Sequence, residues 1–587
     1  MLSNYDYLVI GFYFTFMLAI GWIFHKFTGN VSDYFRGGGK MLWWLVGSSA
    51  FMVQFSAWTF TGGASKAYAD GTLIMVIYLS NAAGFFLNYL YFAPRFRQLR
   101  VITAMEGVRD RFGRANEQCF TWLQVPMGVF YAGIWLNGLA VFIAAVFGLD
   151  LVMTIVVVGM VVLLMSVVGG SWAVVAGDFM QMLILMLITV VAAILAIKHV
   201  GGLGNFVAGV PPHHFKWALT ENATILPLWI IAILIKQIIS TNNMLEASRY
   251  LNAKDSSHAR RGALLATGLF LIGPIVWFVP PMAARIAFPD IATLFPRLNN
   301  PSEAAFVAIC QATMPAGMIG LLVSGIFAAT MSSMDTGLNR NAGILIKNFY
   351  QPVFRPLAAD KELLLAGKIT TAVLGSLVIL AALTFSTWKN IGLFDLMLQF
   401  GALVALPYSV PLLLGTLVKG TPKWAAWSTM LVGLASSLVA QFVFNADWVQ
   451  STIGWHMGSR ERSDWGLLSG VFLNSVVGSA WFFGIRWFAR SRDVAYDGQV
   501  DEFFHRMAKP VDFENEIGQA NDTQQFRVLG LLCLTYGGFV CLLMLIPNPW
   551  TGRLCFLFCG GLLMLVGWLL RWAARRLTPR TEVELKP

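Results

Sequence analysis

The sequence predicts an all-α polytopic membrane protein, with about fifteen helices of spanning length read from its apolar runs. Three observations carry this. First, 57% of the 587 residues are apolar and only 12% are charged, with a mean hydropathy of +0.67. Soluble domains carry about 25% charged residues, and a soluble chain of this length would need that charge over several domains. Second, apolar runs of about 20 residues, enough to cross a bilayer, recur from end to end. Third, Lys and Arg sit in short connections between those runs. The net charge of +11 therefore forms no stripe for nucleic acid. Cys119, Cys310, Cys533, Cys541, Cys555 and Cys559 show neither metal-site nor disulfide spacing. His25 and Lys26 follow the first run where a cleavable signal would have small residues.

In chain order the predicted spans are 6–24, 41–65, 72–94, 118–147, 151–168, 173–197, 224–246, 263–283, 313–346, 369–388, 391–417, 424–444, 465–485, 528–546 and 554–570. The runs at 118–147 and 313–346 are long enough to require tilt or extension beyond the bilayer, and 151–168 is short. With the N-terminus outside, the inner segments hold thirty Lys and Arg and the outer segments nine, while Lys236 and Arg340 fall within spans. Positive residues favour the cytoplasmic side, so the C-terminus is expected there too. The six arginines from Arg95 to Arg114 are the clearest inner anchor. The polar stretch Asp493–Gln525 is too short for an enzymatic domain, which leaves the work to the membrane region.

Two runs are not cleanly apolar. One holds Ser48, Ser49, Gln54, Ser56, Thr59, Thr61, Gly62 and Gly63; the other holds Thr330, Ser332, Ser333, Asp335, Thr336, Asn339 and Arg340. Polar groups at membrane depth need a partner or a cavity, and irregular backbone survives there only inside protein or beside water. An unwound first stretch would expose carbonyls. Carbonyls with neutral hydroxyls suit a monovalent cation better than Ca²⁺ or Mg²⁺, which recruit carboxylates. Tight helix packing is the alternative use of the same small residues.

The strings Asp33-Tyr-Phe-Arg-Gly-Gly-Gly39, Trp172-Ala-Val-Val-Ala-Gly-Asp178 and above all Ala329-Thr-Met-Ser332-Ser333 give the chain a resemblance to the sodium/solute symporter family. The resemblance runs over roughly residues 5–490 and leaves out the last two spans. It implies a leucine-transporter-type core of ten helices in two inverted five-helix repeats with broken helices. It also implies a solute and ion held near the bilayer midplane. The corresponding division is 1–40 (first helix and inner loop), 41–198 (first repeat), 199–418 (second repeat) and 419–587 (peripheral helices, cytoplasmic loop and tail).

Matched by motif, the family's common sodium site falls on the carbonyls of Met52, Phe55 and Ala329 and the hydroxyls of Ser332 and Ser333. A second sodium site of some members falls on Asp178. The serines that accompany it there are replaced here by Met334, Asp335 and Thr336.

Solute contacts are expected at Gln54, Trp58, Lys236 and Gln237. Gln54 stands where Asn or Asp is common in the family; its other role is an amide satisfied between helices. Trp58 either stacks on solute or packs. Lys236, within Trp229–Asn243, faces either an anionic solute group or an internal carboxylate (Asp178, Asp335 or Asp395), or stands in for a cation. An Asp335–Arg340 pair is possible at a spacing of five. The reading is a sodium-coupled importer of a small organic solute — a sugar, sugar acid or other carboxylate — working by alternating access in the lipid bilayer, with Na+ as coupling ion. No covalent chemistry, nucleic acid or obligatory protein partner is implied. The rivals are a solute sensor on the transporter fold and a membrane-embedded enzyme using His213 and His214.

Overall fold

A computed structural model describes residues 3–25, 37–168, 171–216, 224–388, 392–488, 493–518 and 520–577. The Asp33–Arg36 part of the first motif and the end of the tail lie outside them. Among the described residues thirteen helices are long and apolar enough to cross a membrane. Two of the fifteen expected spans, 41–65 and 151–168, are missing from that count. Run 41–65 is broken into Trp43–Met52, a 3₁₀ turn Ala57–Phe60 and Gly62–Asp70. Leu151–Val168 is a continuous apolar helix that borders residues outside the described ones. The run drawn at 313–346 also starts later: Gly317, at φ +87°, separates Ala305–Thr313 from Met318–Ile344.

The centre is built on Met318–Ile344. This helix packs against Ser171–His199, Arg114–Phe147 and Asn4–His25. The helix Trp43–Met52 lies along Ser256–Trp277, backbone on backbone: a Cβ at Gly47 would sit 2.7 Å from the Gly262 carbonyl. Ile225–Asn242 packs on Met75–Leu87, and Asn243 then turns extended before the 3₁₀ segment Met244–Arg249. The last two helices, Asp522–Leu542 and Trp550–Leu577, form the most closely joined pair, with Gly537 against Gly560 and Gly530 against Gly567. Small residues let such backbones approach in lipid, where dispersion rather than water exclusion holds helices together. This pair stands beside the first helix, Phe12 stacking on Phe539 at 3.6 Å.

At the arginine-rich end, residues 493–518 form a polar strap. Arg100 grips both Glu516 oxygens (2.7 and 2.8 Å) and the Lys509 and Pro510 carbonyls. This pairing holds the Glu516 carboxyl below the ordinary carboxylate range. Arg111 is buried, donating to Tyr496 and to the Gly415 and Val418 carbonyls. Lys423–Asp493, Lys419–Asp501 and Arg506–Asp110 pairs complete the attachment. Just beyond the strap, Lys254 pairs with Asp522 and Gln525 bonds the backbone at Lys40 and Leu42.

Candidate functional site

The helix that begins at Trp43 stops at Met52 because the next residues unwind. Gln54 N–H and Phe55 N–H reach back only three residues, to Phe51 and Met52. Carbonyls of the break are then left for other partners. Met318–Ile344 supplies them: the Thr330 hydroxyl accepts from Ala57 N–H at 2.8 Å. The Ser333 hydroxyl donates to the Phe55 carbonyl at 2.7 Å and lies 3.1 Å from Met52 O, 3.3 Å from Val53 O and 3.3 Å from Ala329 O. One hydroxyl has one proton, so four carbonyl oxygens converge on a single donor. Three of them lie within 3.3 Å of that oxygen without receiving its proton. That neutral oxygen set fits a monovalent hard cation.

The structure thus brings together Met52, Phe55, Ala329 and Ser333. It turns Ser332 the other way, to donate to Asp178, whose second oxygen accepts from Ser49 at 2.5 Å. Asp178, Ser332, Gln181 and Asp335 line a cavity of about 50 Å3, with Asp335 bonded to Ser166. The Asp335–Arg340 pair does not form. Five residues turn a helix through about 140° beyond a full circle, so the two side chains leave on different faces.

Lys236 lies on Ile225–Asn242. Its ammonium donates to Gln237 at 3.3 Å, and the Gln237 amide donates to Asn81 at 2.9 Å. The ammonium rests against Gly401: a Cβ there would meet it at 3.0 Å and the Tyr131 hydroxyl at 3.5 Å. Gly401 opens a π-helical turn, Gly401–Ala405, of the kind that interrupts helices at working sites. Among the described residues no carboxylate lies within 4 Å of Lys236. The carboxylates considered as partners are engaged elsewhere, Asp178 and Asp335 by serines and Asp395 by Lys66 at 3.5 Å.

Gln54, with its oxygen turned to Arg249, accepts from both guanidinium nitrogens at 2.6 and 3.2 Å. Trp58 is packed: its indole donates to the Leu393 carbonyl at 3.1 Å and stacks on Phe394 at 5.6 Å. The same end carries the Lys66–Asp395 and Asp70–Arg460 pairs around a cavity of about 230 Å3. Sequence reasoning did not single out Thr330, Ser49, Arg249, Asn81, Tyr131 or Gly401 for the site. Thr330 and Ser49 lay inside the polar strings already marked; the others carry no local signal.

A model of the sodium:solute symporter family matches residues 34–433. The sodium/glucose cotransporter of Vibrio parahaemolyticus is 27% identical over 473 residues, covering 75% of this chain and 86% of that protein. The human sodium/myo-inositol cotransporter 2 is 28% identical over 489 residues, 75% of this chain and 70% of its own. A solved Na+-coupled sialic acid symporter, substrate-bound and outward-open, superposes with a TM-score of 0.65 at 23% identity, over 81% of this chain and 98% of that one. That likeness shows the leucine-transporter-type fold. With the family match running through most of its length, the chain belongs to the sodium:solute symporter family.

Proposed function

We propose that this protein uses sodium moving down its gradient to import a small organic acid, with the N-terminus outside and the C-terminus in the cytoplasm. The observation that carries the sodium reading is the convergence of four carbonyls on the Ser333 hydroxyl at the helix break. Sodium held by Met52, Phe55, Ala329 and Ser333, with Ser332 rotating in from Asp178, would fasten the broken helix to Met318–Ile344. Each charge that enters gains about 2.3 kcal/mol per 100 mV of membrane potential. Asp178, beside Ser332 and Asp335, is the proposed holder of a second sodium ion. Residues 41–198 and 199–418 are the proposed repeats, and rocking between them would alternate access.

Lys236 supports the acidic solute. A desolvated cation with no carboxylate beside it favours an arriving negative group, bound by a charge-assisted hydrogen bond. A neutral polyol is the second reading, favoured by the Gln237–Asn81 amide pair next to Lys236 and by the glucose and inositol relatives. The charge bias supports an orientation with the arginine-rich end inside. The paired Trp58, Lys66 and Asp70 then make the outer face the closed one.

The test is ligand stabilisation of the purified protein against sugars, polyols and sugar acids, followed by uptake into right-side-out vesicles. An acidic solute that stabilises only with sodium, and enters only down a sodium gradient, is expected. Uptake driven equally by a proton gradient without sodium overturns the reading.

A further inference from the structure

Toward the arginine-rich end from the sodium cage lies a cavity of about 70 Å3 that the transport reading leaves unused. Ser49, Val53, Arg249, Thr336, Asn339 and Arg340 face it. Thr336, Asn339 and Arg340 are three and four apart, so they share one face of Met318–Ile344. Their polar atoms lack partners among the described residues: the Thr336 hydroxyl, both ends of the Asn339 amide and the Arg340 Nε. Asn339 is only 8% exposed. The charged groups near Arg340 are Arg249 and Glu246, and Glu246 is already gripped by Arg249. Among the described residues, two guanidiniums against one carboxylate leave one positive charge uncompensated.

Water would satisfy the amide and the hydroxyl but not that charge. A half-buried guanidinium left without a counter-charge costs free energy that an arriving anion would recover. A guanidinium beside an amide N–H and a hydroxyl is a donor set for a small anion, and Arg is suited to the fork of a carboxylate. The cavity has room for such a group, given that a water takes about 30 Å3.

We propose that Thr336, Asn339 and Arg340 form an anion-binding site on the arginine-rich side of the sodium cage. It takes a small monovalent anion: the carboxylate of a passing solute or a free chloride. The site is separate from Lys236 and does not depend on the reading given to that residue.

The purified full-length protein is unfolded by heat in sodium HEPES, a reference salt with a bulky anion. Sodium acetate or sodium chloride is then titrated in at constant sodium and ionic strength. A saturable rise of a few degrees is expected in at least one series, as mass action requires of a ligand for the folded state. A response to acetate identifies the carboxylate source and a response to chloride alone the free halide; either supports the site. Arg340→Gln should be at least as stable as wild type in HEPES, because it removes an uncompensated charge. It should need at least tenfold more anion for half the rise. Arg340→Lys, which keeps the charge but loses the fork, and Thr336→Val should each need several-fold more, and they carry the test if Arg340→Gln is not recovered folded. No saturable rise in wild type, or an equal rise in all three variants, overturns the proposal. Because sodium is constant throughout, neither result bears on sodium coupling.

Discussion

The Ser333 hydroxyl donates to the Phe55 carbonyl across 2.7 Å, and so joins residues 278 positions apart at the point where the broken helix keeps only three-residue backbone bonds. Ser333→Ala removes the hydroxyl and leaves the surrounding carbonyls. Loss of one neutral ligand is worth about 1–1.5 kcal/mol, or roughly tenfold. The sodium concentration for half-maximal uptake should rise by about that factor. Solute affinity in saturating sodium should change much less. A sodium titration of initial uptake rates checks this, and an unchanged half-saturation sinks the cage.

Lys236→Gln should weaken an acidic solute by about 10- to 100-fold, the range of a lost charged hydrogen bond, and its neutral analogue by far less. Competition binding measures both. Pairing it with Asp178→Asn, Asp335→Asn or Asp395→Asn should not restore transport. A rescuing double mutant would make Lys236 an internal ion-pair partner and end the acidic-solute reading.

The face opposite the arginine-rich end, which the proposed orientation puts outside, is held by Trp58 on Phe394, Lys66–Asp395 and Asp70–Arg460. Partly exposed ion pairs contribute about 0–1 kcal/mol each, so their loss should bias the equilibrium rather than abolish transport. In a background with the native cysteines replaced, a cysteine at Ser463, which faces the cavity there, should be labelled from outside about two- to fivefold faster when Arg460→Gln is added. Unchanged labelling would show that these contacts do not close the face.

Glu303 lies between spans, accepting from Leu393 N–H at 3.1 Å and from Asn300 at 3.3 Å. Burial raises its carboxyl from 4.5 to about 7, against the lowering effect of those two bonds and with some help from Asp395. The folded state therefore binds the proton more tightly than the unfolded one. The resulting stability is fully present below pH 4.5 and is lost as pH rises through about 7. The melting temperature of wild type relative to Glu303→Gln should fall over that window. A flat difference would show that the carboxyl is not perturbed.

The break and its fastening were legible because both depend on local strings. Polar residues from Ser48 to Thr61 and from Thr330 to Asp335 have no stable place in lipid unless they meet something. The direction of each hydroxyl was not legible. Ser332 and Ser333 are adjacent, yet 100° of helix rotation sends one to Asp178 and the other to the break. Gln54–Arg249 and Lys236–Gly401 were invisible for a different reason: each joins positions more than 150 residues apart, and no periodicity encodes such a meeting. Run 41–65 falls out of the count because composition registers apolarity but not a four-residue interruption within a run.

The polar strap gives the arginine-rich end a mechanical inheritance of its own. Arg100 closes the loop after one helix, Arg111 precedes the next, and residues 493–518 hold both together with the connection at Lys419–Lys423. Any rearrangement that separates these loops must either carry the strap along intact or break a bidentate ion pair and several carbonyl bonds at once. The tempo of such a rearrangement is therefore set partly by residues that never approach an ion or a solute. Changes in the strap can alter how often the cycle runs while leaving untouched what it selects.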